Sequence, residues 1–269
     1  MSQSSALSVL LNRATVAAEL RRLLPKIERF QDAKAIPFGL SAIDRCLPQG
    51  GLVCGALHEF VPDKGATPSA FGFMAALLAR FFSPPPLRSG KQINPRPIIL
   101  VLPTYGLRDY GRPHGHGIRA LGLNPTRLIL VETAHRNETL WALEEALHAR
   151  APAAVAGVID KLDLKSSQRL HLAAADAGLP LLLLRSAQNL ESSAAATRWH
   201  IGASKAARDR FGLYARPCWR LQLERCRNGR PGEWVVEYDH VAHRFSLAAA
   251  LADPAPVGRA GEKSFRQAS

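Results

Sequence analysis

Cysteine is scarce and irregularly placed. Cys46, Cys54, Cys218 and Cys226 contain no C-x-x-C pair, so free thiols are expected rather than a disulfide framework or a zinc site. No N-terminal signal pattern is present, and no apolar run approaches the roughly 20 residues needed to span a bilayer. The expectation is a cytoplasmic protein. Neither G-x-S-x-G nor H-E-x-x-H occurs, and no other stretch groups a nucleophile with a base. Acidic residues are few, 22 against 35 Lys+Arg, which leaves a net charge of +13. That imbalance favours polyanionic partners, nucleic acid or a nucleic-acid assembly, although basic runs also serve solubility.

What is present suffices for a sizeable core, since 47% of the 269 residues are hydrophobic. From Ala6 to Phe30, Leu7, Leu10, Leu11, Val16, Leu20 and Leu24 recur at helical spacing among Arg13, Arg21, Arg22, Lys26 and Arg29. The spacing predicts a basic amphipathic helix that Pro25 ends or kinks. Residues 1–36 are therefore expected to form an N-terminal segment and linker, 37–250 the core domain, and 251–269 a disordered tail.

Inside the core, "GLSAIDRCLPQGGLVCGALHEF" predicts a short helix with Ser41 as cap, turns at Gly50, Gly51 and Gly55, and a strand from Leu57 to Val61. Ser69 to Phe82 is apolar almost all round and predicts a buried helix. "IILVLP", "RLILVE", "AVAGVID" and "PLLLLR" are short apolar runs separated by the helical patterns "ETLWALEEALHAR" and "SSQRLHLAAADAG". Strands alternating with helices in this way predict βαβ units and a mostly parallel sheet. Asn137 is the expected cap of the first of these helices; Ser166 or Ser167 is that of the second, with Gly178 as its stop.

After Arg185 the pattern changes to a polar, Ala-rich and basic stretch. "CWRLQLERC" and "EWVVEYD" then alternate apolar and polar residues around the turn "RNGRPG", which predicts an antiparallel hairpin. Two other constellations invite chemistry without supporting it. His114 and His116 have no third ligand nearby, and a zinc site needs three or four. Glu144 and Glu145 are helix neighbours that point apart, so a salt-bridged surface is expected.

The order of elements from Pro37 to Phe245 resembles the RecA-like P-loop NTPase core. "GLSAIDRCLPQGGLVCGALHEF" is similar to its entry segment, in which a glutamate-bearing strand precedes the phosphate loop. "LWALEEAL", "RLHLAAADAGLPLLLLR", "SSAAATRW" and "CWRLQLERCRNGRPGEWVVEYD" resemble the ImuA family, RecA-like proteins encoded with damage-inducible mutagenesis cassettes. The resemblance implies an α/β fold with a mostly parallel twisted sheet. It also implies a role in SOS-induced translesion synthesis beside an ImuB-like polymerase-family protein, an error-prone DnaE-type polymerase and RecA, with nucleoid association during DNA damage.

Carried onto that frame, "EFVPDKGATPSAF" (Glu59 to Phe71) occupies the phosphate-loop position, yet it holds no Gly-Lys-Ser or Gly-Lys-Thr. The loop's final Gly-Lys-Thr falls on Thr67, Pro68 and Ser69, of which only Ser69 suits its role. Asp63, Lys64 and Gly65 fill the loop, and Lys64 is four positions early. The water-orienting acid falls near Thr104 and the sensor glutamine near Ala187; Asp160 alone remains, where a Mg²⁺-associated carboxylate belongs. Phosphoryl transfer depends on these groups for positioning and charge stabilisation. ATP hydrolysis is therefore not expected, and neither is a cofactor or a metal.

RecA's two DNA-binding loops correspond here to "KLDLKSS" and "SAQNLESSAAAT", the second of which lacks Lys, Arg and aromatics. Candidate nucleic-acid or partner contacts are instead Arg21, Arg22, Arg198, Lys205, Arg208 and Arg210. The favoured reading is a non-catalytic adaptor; the alternatives are a SulA-like division inhibitor that binds FtsZ and a divergent DNA-dependent ATPase using Lys64, Ser69 and Asp160.

Overall fold

Short apolar runs covered on both sides become parallel strands here, and runs that alternate become antiparallel ones. The computed structural model describes residues 34–82, 96–104, 111–186, 191–205 and 216–248. The expected N-terminal helix with Arg21 and Arg22, the tail, and Ala187, Arg208 and Arg210 lie outside the described residues.

The elements run β1 (Ala35–Ile36), α1 (Ser41–Asp44), β2 (Leu52–Val53), β3 (Leu57–Pro62), α2 (Thr67–Phe82), β4 (Ile98–Pro103), α3 (Gly115–Ala120), β5 (Leu128–Thr133), α4 (Arg136–His148) and β6 (Ala154–Ile159). They continue with α5 (Leu164–Ala177), β7 (Leu181–Arg185), β8 (Thr197–Ala203), β9 (Cys218–Cys226), β10 (Gly232–Asp239) and β11 (Arg244–Leu247). Among the described residues β1 and β2 pair antiparallel, and one nine-stranded sheet has the order β11-β10-β9-β8-β3-β7-β6-β4-β5. From β5 to β8 neighbouring strands are parallel, and β9, β10 and β11 extend the sheet antiparallel. The expected α/β class and mostly parallel sheet are observed.

Two apolar clusters cover the two faces. Phe60, Leu182, Leu184, Trp199 and Ile201 pack with α2, while Leu57, Leu181 and Leu183 pack with Leu143 and Leu147 of α4 and Leu170 of α5. This alternation within single strands is the period-2 side-chain rule applied to a sheet buried on both sides. On the α2 face, Phe73 meets Trp219 at 5.6 Å and Phe245 at 5.5 Å between ring centroids, tying the helix to the antiparallel extension. Such aromatic pairs add about 0.5–1.5 kcal/mol each beyond the area they bury.

Several local expectations are corrected. The α4 N-terminus lies at His135, and Asn137 is already inside the helix; Glu138 Oε2 instead accepts the Ala134 N–H at 2.6 Å. Asp163, not Ser166 or Ser167, caps α5 by accepting the Ser166 N–H at 2.8 Å. Ser41 is the first helical residue of α1 rather than its cap, and Asp44 takes the Phe38 and Gly39 amides at 2.7 and 3.0 Å. Gly178 ends α5 with φ +66°, as expected of a left-handed C-terminal residue. The polar stretch after Arg185 contains β8, which lies beside β3 near the middle of the sheet. Its buried Trp199 and Ile201 alternate with Arg198 and His200.

Candidate functional site

The parallel strands bring Pro62, Thr104, Asp160 and Arg185 to their carboxyl ends, the edge where open α/β sheets bind ligands. β3 is an inner strand of this array, so the turn from Asp63 to Ala66 that leads into α2, where the sequence resemblance implies a phosphate loop, lies at that edge. A working loop turns its backbone N–H groups onto one anion. Here the Asp63 N–H donates to the Ile201 carbonyl of β8, and the Ala66 N–H donates back to the Asp63 carbonyl, both at 2.9 Å. Gly65, at φ +76°, occupies the third position of this four-residue turn, where a left-handed conformation favours glycine.

An ion pair already stands at the turn. Asp63 Oδ2 accepts from Arg220 Nη2 of β9 at 2.6 Å, and the same oxygen lies so close to Gly202 that a Cβ there would collide with it. Trp219, next to Arg220, donates its indole N–H to the Ser69 carbonyl at 2.9 Å, fixing the first turn of α2 to β9. Thr67 is helical, Pro68 offers no N–H, and Lys64 is exposed. Asp63, Lys64, Gly65, Thr67, Pro68 and Ser69 are thus contiguous at one strand end, with Asp160 two strands away across β7. Partial burial holds the Asp160 carboxyl above its ordinary range, with Lys161 opposing the shift. Thr104, just after β4, donates its hydroxyl to the Thr133 carbonyl at 3.3 Å.

Beneath this edge, on the α5 face, lies a buried ionic cluster. Glu59 accepts from Arg185 Nη1 at 2.5 Å, from Arg198 Nε at 2.9 Å and from the Ser193 hydroxyl at 2.9 Å. Glu59 and Arg185 are fully buried and the Arg198 side chain is 11% exposed. Of the basic residues singled out in the sequence, Arg198 therefore has its guanidinium turned onto Glu59, Ser193 and the Glu191 carbonyl, whereas Lys205 is exposed. The rings of His114 and His116 stack at 5.3 Å, and among the described residues no group of three or more His, Cys, Asp or Glu is placed to hold a metal. Glu144 pairs with Arg169, whose Nε donates at 3.2 Å. Among the described residues no helix is long and apolar enough to cross a membrane.

No family model matches the chain. Two curated relatives, each called Protein ImuA and each from a strain of Caulobacter vibrioides, are 32% identical to it over 238 residues, covering 81% of this chain and 90% of the relative. This chain belongs to the ImuA family. In this ImuA chain the Asp63–Arg220 pair and the Glu59 cluster are the features that sequence reading missed. Their partners stand 157, 126 and 139 residues apart, and no local pattern marks such pairs.

Proposed function

We propose that this ImuA-family protein keeps a RecA-type frame without its phosphoryl-transfer chemistry and acts as an adaptor in damage-induced, error-prone translesion synthesis. The sheet order supports the frame, with the loop position ending an inner parallel strand and Asp160 ending another. The observation that carries the loss of chemistry is Asp63, whose carboxylate and backbone N–H are both tied into β8 and β9. Both groups are thus engaged within the protein, Arg220 included, and the turn has no lysine at the position a phosphate loop uses for the terminal phosphates. On this reading the chain binds an ImuB-like polymerase-family protein and works within an assembly that includes RecA and a DnaE-type polymerase on damaged DNA. Its +13 charge suits that setting.

Co-precipitation tests the adaptor role. Both the full-length chain and a chain starting at Lys34, which retains β1, are expected to capture purified ImuB-like protein. Capture by neither contradicts the proposal; capture by the full-length chain alone would move the contact to the basic N-terminal segment.

A further inference from the structure

The far end of the sheet from β5 carries a second feature, which the degenerate nucleotide position does not explain. β11 is the terminal strand there, and among the described residues it pairs with β10 alone, in the register Val236↔Leu247, Glu237↔Ser246, Tyr238↔Phe245 and Asp239↔Arg244. The Ala248 N–H donates to the Val235 carbonyl at 2.9 Å. Antiparallel pairs alternate between hydrogen-bonded and non-bonded. Counting back from Ala248, Ser246 and Arg244 therefore turn their main-chain groups toward β10, and Phe245 and Leu247 turn theirs outward. A row of outward N–H and C=O groups is a template for another strand.

Beside this edge lies a cleft of about 520 Å³ whose wall includes Leu40, Arg216, Asp239, Arg244, Phe245 and Leu247. Apolar and polar side chains line it together: Phe245 is anchored in the core, and Leu247 is 48% exposed. Two arginines and one carboxylate line it, a net charge of one cation. Arg216 is paired with Asp239 at 3.0 Å, and Asp239 also accepts the Val241 and Ala242 amides at 2.9 Å, so the acid is fully engaged within the protein. The exposed Arg244 side chain stands opposite Asp239 in the β10 register and draws on that carboxylate through space, without a close ion pair among the described residues.

We propose that the β11 edge and its cleft are the docking site for an extended acidic segment of the partner protein. The segment adds as a strand against the main chain of Phe245 and Leu247, sets an apolar side chain on Leu40 and Leu247, and presents a carboxylate to Arg244. This is strand addition, in which main-chain hydrogen bonds supply affinity and alternate side chains supply specificity. Charge complementarity with a +13 chain steers an acidic segment toward it. A nucleic-acid strand fits less well, because alternating outward N–H and C=O groups match the main chain of another strand and a phosphate backbone has no donors for the carbonyls. The assignment rests on the adaptor reading above and specifies where that contact is made.

The test measures binding of full-length chain to ImuB-like protein for the unaltered sequence, for Arg244→Glu, for Leu247→Pro and for Arg119→Glu, a charge reversal at an exposed helix position. Leu247→Pro removes an N–H that the β10 pairing does not use, and edge strands tolerate proline. The sheet should thus remain folded by circular dichroism while strand addition is blocked. Arg244→Glu and Leu247→Pro are each expected to weaken binding roughly tenfold or more, and Arg119→Glu to leave it unchanged. If Leu247→Pro unfolds the chain, Arg244→Glu decides alone. Unchanged binding in the edge variants overturns the assignment. So does stronger binding in both, which would give the cleft to the chain's own residues 249–269, and so does loss of oligothymidylate binding in place of partner binding. Failure of the unaltered chain to bind overturns the adaptor reading itself, and this assignment with it.

Discussion

Replacing Glu59 with leucine is expected to destabilise the protein by about 3–5 kcal/mol, the range found when one partner of a buried ion pair is removed. The reason is what remains. Arg185 has a fully buried guanidinium, and a hydrogen bond to a neutral group such as the Leu162 carbonyl at 3.3 Å does not replace the lost carboxylate charge. Arg198 is less affected, because its 11% exposed side chain still reaches Ser193 and the Glu191 carbonyl. At roughly 2–4 °C per kcal/mol for a chain of this size, the thermal midpoint should fall by about 10 °C. Removing the cation together with the acid, as Glu59→Leu with Arg185→Leu, should recover most of the loss, since apolar replacements of buried pairs are often neutral. Urea unfolding of the four proteins in this cycle checks it. A single variant within 1 kcal/mol of the parent, or a double variant as unstable as the single, would contradict the account.

Mild acid is expected to be the second large destabiliser. His58 is fully buried as a neutral ring: its Nε2–H donates to the Val53 carbonyl at 2.9 Å, and its Nδ1 accepts from the Thr197 hydroxyl at 2.8 Å. Burial pushes His58 from 6.5 down to about 4, and burial does the same to His171, aided by Arg227. His171 Nδ1 accepts the Leu57 N–H at 3.3 Å, which requires that nitrogen unprotonated. Between pH 6.5 and about 4 the unfolded chain binds protons that the folded chain refuses, so stability falls as pH falls across that window. His58 alone contributes roughly 3 kcal/mol over the whole window. Asp163 and Asp239 are held below the usual carboxylate range by backbone amides, so the stability they add is lost only at lower pH. Urea midpoints at pH 7.5 and 5.0 should differ clearly, and the difference should shrink in His58→Gln. An equal slope in parent and variant would show that His58 is not the group responsible.

How far the sequence revealed these features depends on the range of the interactions. "IILVLP" and "PLLLLR" announced buried parallel strands because both of their faces are covered, and Trp219, Leu221 and Leu223 announced the hairpin because one face is. β8 was hidden, since Arg198 and His200 interrupt a stretch rich in alanine, and its burial depends on β3 and β9, which are distant in sequence. Caps were misjudged by a few positions because Asp163, Ser166 and Ser167 can all serve, and tertiary contacts such as Arg136 with Asp163 at 2.5 Å fix the choice. The strand ending near Val61 and the buried helix after Ser69 were legible, because both are nearly continuous apolar runs. The partner of Asp63 in the turn between them was not, because Asp63 meets Arg220 only once β3, β8 and β9 are side by side.

The central claim is that the nucleotide frame persists without its chemistry, and phosphate release from ATP tests it most directly. Full-length protein would be incubated with ATP and Mg²⁺, with and without single-stranded DNA, alongside Asp160→Ala. The account predicts that the parent releases no more phosphate than Asp160→Ala does. DNA-stimulated turnover that Asp160→Ala abolishes would contradict it and restore the ATPase reading.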